Sequence, residues 1–125
     1  MGVLGDVLNT GLKKIFGSKY ERDLKAIQPL VDEINVHFAG LSSLSDEELK
    51  GKTEEFKQRL RDGETTEDIM TEAYAVVKET CRRFLGQKWL VIGHETEWDM
   101  VPYDCQLFGA IVLNQGKIAE MATGE

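Results

Sequence analysis

The residues that could carry chemistry are few and scattered. His94, Glu95, Glu97 and Asp99 lie close together between two tryptophans and a methionine. A metal site needs a second His or a Cys at ligand spacing, and the stretch has neither. The pattern predicts solvated loop charges and no metal. Cys81 and Cys105 form no C-x-x-C pair, so neither a redox motif nor a disulfide framework is expected. No Ser/His/Asp or Cys/His arrangement of recognised spacing occurs. The acids at Asp46 to Glu48 and Glu64 to Asp68 read as helix N-terminal charges. Lys13, Lys14 and Lys19 cluster beside an apolar stretch, a combination suited to an anionic surface. Gln106, taken alone, reads as an exposed helix glutamine, although its carboxamide can both donate and accept.

These side chains must be positioned by helices. The 125 residues are 42% hydrophobic and 30% charged, which is the composition of a folded chain and excludes wholesale disorder. The net charge of -7 gains little from a phosphate backbone, so no nucleic-acid partner is expected. No apolar run approaches the ~20 residues needed to span a bilayer. Charged and polar residues interrupt Val3 to Phe16, so no signal-peptide core is present. Two cysteines without a secretory signal fit a reducing cytosol.

Val3 to Phe16 reads as a short amphipathic helix carrying Leu4, Leu8, Leu12, Ile15 and Phe16. A second helix is predicted from about Tyr20 to Phe38, with Leu24, Ile27, Val31, Ile34 and Phe38 in one stripe. Pro29 inside it predicts a kink, or a break with restart. Ser45 and Glu48 form a capping box for a third helix, whose thin apolar face is Leu49, Phe56 and Leu60 and whose stop is Gly63. A fourth helix starts at Thr65 or Thr66 and runs to Leu85, with Ile69, Ala73, Val76, Val77, Thr80 and Phe84 as its stripe. Trp89 to Ile92, a Gly93-His94 turn and Glu95 to Trp98 predict a hairpin. Pro102 suits the first position of a fifth helix that Gly116 closes. Lys117 to Met121 then reads as a short strand.

Four stretches, taken in order, carry a resemblance. They are Lys14-Ile-Phe-Gly-Ser18 with Glu21-Arg-Asp-Leu24, then Leu44-Ser-Asp-Glu-Glu-Leu49 running into Lys52-Thr-Glu-Glu-Phe56. Glu72-Ala-Tyr-Ala-Val-Val77 follows, and last come Tyr103-Asp-Cys-Gln-Leu107 and Asn114-Gln-Gly-Lys-Ile-Ala-Glu-Met121. From about residue 12 onward the chain resembles the N-terminus of the SecA family. That resemblance implies a DEAD-type motor using ATP and Mg to push preproteins through the SecYEG channel, cytoplasmic and peripherally bound to the inner membrane. It places Gln106 at the glutamine that reads adenine, with Met100 and Tyr103 against the adenine ring. It places Thr123, Gly124 and Glu125 in the phosphate loop, which would continue as Gly-Lys-Thr. The resemblance thus implies a chain that stops inside that loop, is catalytically incomplete and binds no nucleotide tightly. Residues 87–99 look like an insertion relative to the family, and Cys105 stands where Val is common.

The expected fold is mainly α: the helical N-terminal segment of a RecA-like α/β P-loop motor domain, ending in a short β-strand. Its divisions are an amphipathic helix (1–18), a helical region (19–86), an inserted loop or hairpin (87–101), and a last segment with the adenine-reading helix, first strand and start of the phosphate loop (102–125). Without sheet neighbours, self-association or disorder after about Pro102 is expected. The other reading is a stand-alone helical module, non-catalytic, that docks on lipid or on partner helices. The N-terminal segment either packs on the domain or lies on anionic phospholipid. In liposome flotation the lipid reading predicts that replacing Lys13, Lys14 and Lys19 with Gln weakens binding to anionic vesicles by about 1 kcal/mol per residue. Equal binding of the unsubstituted chain to neutral and anionic vesicles would sink that reading.

Overall fold

The computed structural model describes residues 19–121. The amphipathic helix expected over 3–16 lies outside them. The described chain is mainly helical, with the order α1 (Lys19–Leu41), α2 (Asp46–Arg61), α3 (Thr66–Phe84), β1 (Lys88–Val91), β2 (His94–Glu97) and α4 (Asp104–Asn114).

Local signals set most helix ends. Ser45 caps α2: its hydroxyl accepts from the Glu48 N–H at 3.2 Å, and the Glu48 carboxylate accepts from the Ser45 N–H at 2.7 Å. Thr65 and Asp68 repeat this box at the start of α3. Gly63, at φ 106°, follows α2 in the left-handed region that a Cβ disfavours. There the Gly63 N–H reaches the Leu60 carbonyl and the Glu64 N–H the Arg59 carbonyl, a Schellman end. Gly116 closes α4 in the same way, with Gly116 bonded to Leu113 and Lys117 to Val112.

The core forms where α1, α3 and α4 meet. Ile27, Val31 and Ile34 of α1, Met70 and Ala75 of α3, and Leu107 and Ile111 of α4 make one buried cluster. Each large aliphatic side chain there stabilises the fold by roughly 1.5–3 kcal/mol relative to exposure. Leu49 and Phe56 of α2 are also buried, while Leu60 is exposed.

Several expectations are corrected. Pro29 lies within α1, which continues through it, so no break occurs. Pro removes one N–H donor, and the buried stripe on both sides of it holds the helix together. The buried face of α3 is Ile69, Met70, Thr71, Ala75 and Glu79, whereas Val77 is exposed. That face follows the position of α1. Pro102 precedes the cap of α4, which is Tyr103, and is not its first residue. Residues 104–114 form a packed helix, so the disorder expected after Pro102 does not begin there. Residues 117–121 form no strand. A strand needs a partner for its backbone groups, and none lies beside this segment among the described residues. Met121 instead turns back onto α4, where a Cβ on the buried Gly109 would meet its sulfur at 2.9 Å.

Glu79 is fully buried and carries a full charge partner set. Arg82 grips it with two bonds, of 2.8 and 2.7 Å, and Arg83 adds a third at 2.8 Å. Arg83 also reaches Asp46 and the carbonyls of Leu41 and Leu44, so one guanidinium pins the α1–α2 turn to the end of α3. The Arg82 hydrogen bond, joined by those of Arg83, holds the Glu79 carboxyl below its ordinary 4.5 although burial pushes it up.

Residues 88–97 form an antiparallel hairpin in which Lys88 pairs with Glu97 and Val91 with His94. The turn is Ile92-Gly93, not Gly93-His94. Both residues have positive φ, 48° and 79°, as a two-residue type I′ turn demands. An isolated two-stranded hairpin is marginal in water. Here Trp89, Trp98 and Phe84 stack edge to face with centroids 5.9–6.2 Å apart and anchor it to the end of α3. Ile92 is a β-branched residue in the left-handed region and is 95% exposed, so nothing offsets its strain.

Two outcomes follow from these features. A depressed folded pKa means that the Glu79 contribution is complete above pH ~4.5 and fades as pH falls through the folded value. Glu79→Gln lowers stability at pH 7 and flattens the acid limb of a melting-temperature profile; an unchanged acid limb would assign that limb to other carboxylates. Ile92→Asn relieves about 1–2 kcal/mol of left-handed strain and slows amide exchange across the hairpin. Faster exchange there would show that Ile92 holds the turn.

Candidate functional site

Polar side chains from α1, α3 and α4 converge at the first turn of α4. Tyr103 caps the helix from an extended backbone at φ -77° and ψ 161°. Its N–H donates to Gln106 Oε1 at 2.9 Å, and its carbonyl accepts from the N–H groups of Gln106 and Leu107. Gln106 thus closes half of a capping box. An amide oxygen has two lone pairs, so Oε1 keeps one acceptor site and Nε2 keeps both donors for an outside group. Gln106 is exposed and lines an apolar cleft of about 540 Å³ with Tyr74, Val77, Pro102, Leu113 and Met121.

Three helices meet beneath this turn. Lys78 of α3 donates to Asn35 Oδ1 of α1 at 2.7 Å. Asn35 Nδ2 donates to Asp104 Oδ1 of α4 at 3.0 Å. The Lys78 ammonium lies 3.7 Å from the Asp104 carboxylate and 5.1 Å from the centre of the Phe38 ring. The Tyr74 hydroxyl donates to the Ala110 carbonyl at 3.2 Å, and burial pushes its pKa up. Upstream, the Trp98 indole N–H is shared between the carbonyls of Met100 at 2.8 Å and Cys81 at 3.1 Å, which ties the approach to α4 back onto α3.

Of the residues singled out by sequence, Tyr103 and Gln106 are joined directly. Met100 and Tyr103 are exposed, at 56% and 73%. Neither lines the cleft beside Gln106. Lys19 is exposed at the start of α1. Lys13, Lys14, Thr123, Gly124 and Glu125 lie outside the described residues. Cys105 is only half-buried. No three His, Cys, Asp or Glu side chains gather as a ligand set among the described residues. No described helix is long and apolar enough to cross a membrane. Asn35, Lys78 and Asp104 escaped the sequence reading, because nothing local marks three polar residues from separate helices as neighbours.

The SecA DEAD-like domain model matches residues 12–125. The chain belongs to that family. Over 114 residues, 91% of its length, it is 54% identical to the protein translocase subunit SecA of Chlamydia abortus. It is 53% and 51% identical over the same length to the subunits named SecA of Chlamydia caviae and Chlamydia pneumoniae. The chain spans 12% of the length of each of these relatives. Within this SecA-type segment, the first turn of α4 offers a neutral donor–acceptor pair on a rigid element. That chemistry fits the edge of a nucleobase better than it fits a metal or an anion.

Proposed function

We propose that this chain is the front of an ATP-driven, protein-translocating motor and that Gln106 reads the adenine of its nucleotide. The supporting observation is the Tyr103 N–H bond to Gln106 Oε1, which holds the carboxamide of an exposed residue at a helix start. Adenine presents an N6 donor beside an N7 acceptor, the complement of a carboxamide. The exposed Tyr103 ring and Met100 side chain supply apolar cover for the base. Thr123, Gly124 and Glu125 belong to the phosphate loop in this reading. Bound ATP with Mg would supply the phosphoanhydride energy that drives the motor.

The same reading takes the SecYEG channel, preproteins and anionic phospholipid as partners of the whole motor, with Lys13, Lys14 and Lys19 at the lipid surface. It places the motor in the cytoplasm, held peripherally at the inner membrane.

The test is calorimetric titration of the intact source gene product with ATP. Gln106→Glu keeps an acceptor for the Tyr103 N–H but loses the donor for N7. It therefore weakens ATP binding by roughly 1–3 kcal/mol, the worth of a bidentate base contact, with melting unchanged. ATP affinity equal to that of the unsubstituted protein would rule out the adenine role.

A further inference from the structure

A glutamine that reads a base must present its carboxamide in one orientation. With Oε1 toward N6 and Nε2 toward N7, it accepts adenine. Guanine offers acceptors at both O6 and N7, so the same oxygen would face another oxygen. An amide that can flip or sway loses this distinction. In this SecA-type chain, the flip is opposed at the helix start. Turning Nε2 inward would set its donors against the Tyr103 N–H and leave that helix-start donor without its 2.9 Å partner.

This lock works only if the Tyr103–Gln106 turn itself stays in place, and three side chains hold it there. Lys78 has only 11% of its side chain exposed. A cation so nearly buried requires its partners, because removing them strands the charge. Its bond to Asn35 Oδ1 fixes the orientation of the Asn35 amide. That orientation leaves Asn35 Nδ2 as the donor to Asp104 Oδ1, in the first turn of α4 and two residues before Gln106. Every polar atom of the Asn35 side chain is thereby committed, and a displaced Asp104 would break the chain of bonds. The carboxylate also favours this end of the helix electrostatically.

We infer that Asn35, Lys78 and Asp104 form a positioning junction that fixes the first turn of α4 and so sets the preference of Gln106 for adenine over guanine. This rests on the adenine role proposed for Gln106. The junction acts through Gln106 and touches no nucleotide itself.

The experiment compares ATP and GTP affinity in the intact source gene product, with melting temperature as the control for folding. Asp104 is mostly exposed, so its replacement leaves the core intact. Asp104→Ala lowers the ATP-to-GTP affinity ratio about tenfold, the lower end of what one bidentate base contact is worth, with little change in melting. Asp104→Asn keeps an oxygen for the Asn35 amide and retains the ratio. Asn35→Asp still holds Lys78 but repels Asp104, and lowers the ratio as Asp104→Ala does. If Asp104→Ala and Asn35→Asp weaken both nucleotides equally, or neither, the junction is structural and the inference fails. A ratio that falls in Gln106→Ala but not in those two variants rejects the junction alone. A ratio unchanged in Gln106→Ala removes the adenine role, and the inference with it.

Discussion

The packing of α1 against α3 is the constraint on which the rest of this structure depends. Val31, Ile34 and Ala75 are wholly buried along that contact. The small Ala75 lets two helices approach closely, and the branched side chains of α1 fill the space beside it. Helix α4 is buried through Leu107, Gly109 and Ile111, and its two aliphatic side chains join the same cluster. A change that widened the α1–α3 contact would therefore release the helix that carries Gln106. Loss of one such aliphatic side chain costs about 2–5 kcal/mol in transfer and cavity terms together.

Helix α3 spreads that order outward through two adjacent residues of opposite charge. Lys78 faces Asn35, Phe38 and Asp104, and so couples α1 to the start of α4. Glu79 faces Arg82 and Arg83, and through Arg83 couples α3 to the α1–α2 turn and to Asp46. Both charges lie in poorly solvated positions, and both are met by more than one partner. Such sites contribute geometry more than net stability, since desolvation offsets much of the attraction. Their directionality makes them suited to fixing helix ends, where backbone groups lack intrahelical partners. A single aliphatic contact would hold the same surfaces together without specifying their rotation.

The hairpin obeys a different logic. It is too short to stabilise itself, and it persists because its base is an aromatic cluster with Phe84 of α3. The Gly86 N–H to Trp98 carbonyl bond and the Trp98 N–H to Gln87 carbonyl bond extend the ladder beyond the strands to that base. The indole of Trp98 then ties the segment leading to α4 onto the end of α3. Residues 87–99 are therefore continuous in structure with the approach to the candidate site. Leu90 and Ile92 remain among the most exposed apolar side chains described.

Helix boundaries were legible because their causes are local. Ser45 with Glu48 and the glycines 63 and 116 act within a few residues of themselves, so their types and spacing suffice. The stripe through Ile27, Val31 and Ile34 was legible for the same reason, since it repeats at the helical period. The role proposed for Gln106 rests on the family's motif, because one glutamine on a helix carries no signal of its own. The tertiary structure alone decided that the charged Glu79 is buried and Val77 exposed, because burial depends on which surface α1 covers. It alone brought Asn35, Lys78 and Asp104 together from three helices, and it alone left residues 117–121 without a strand partner among the described residues. Capping and periodicity are short-range terms written in consecutive residues. The pairing of a buried charge, or of a strand edge, depends on groups distant in sequence, and only the folded chain brings them within reach.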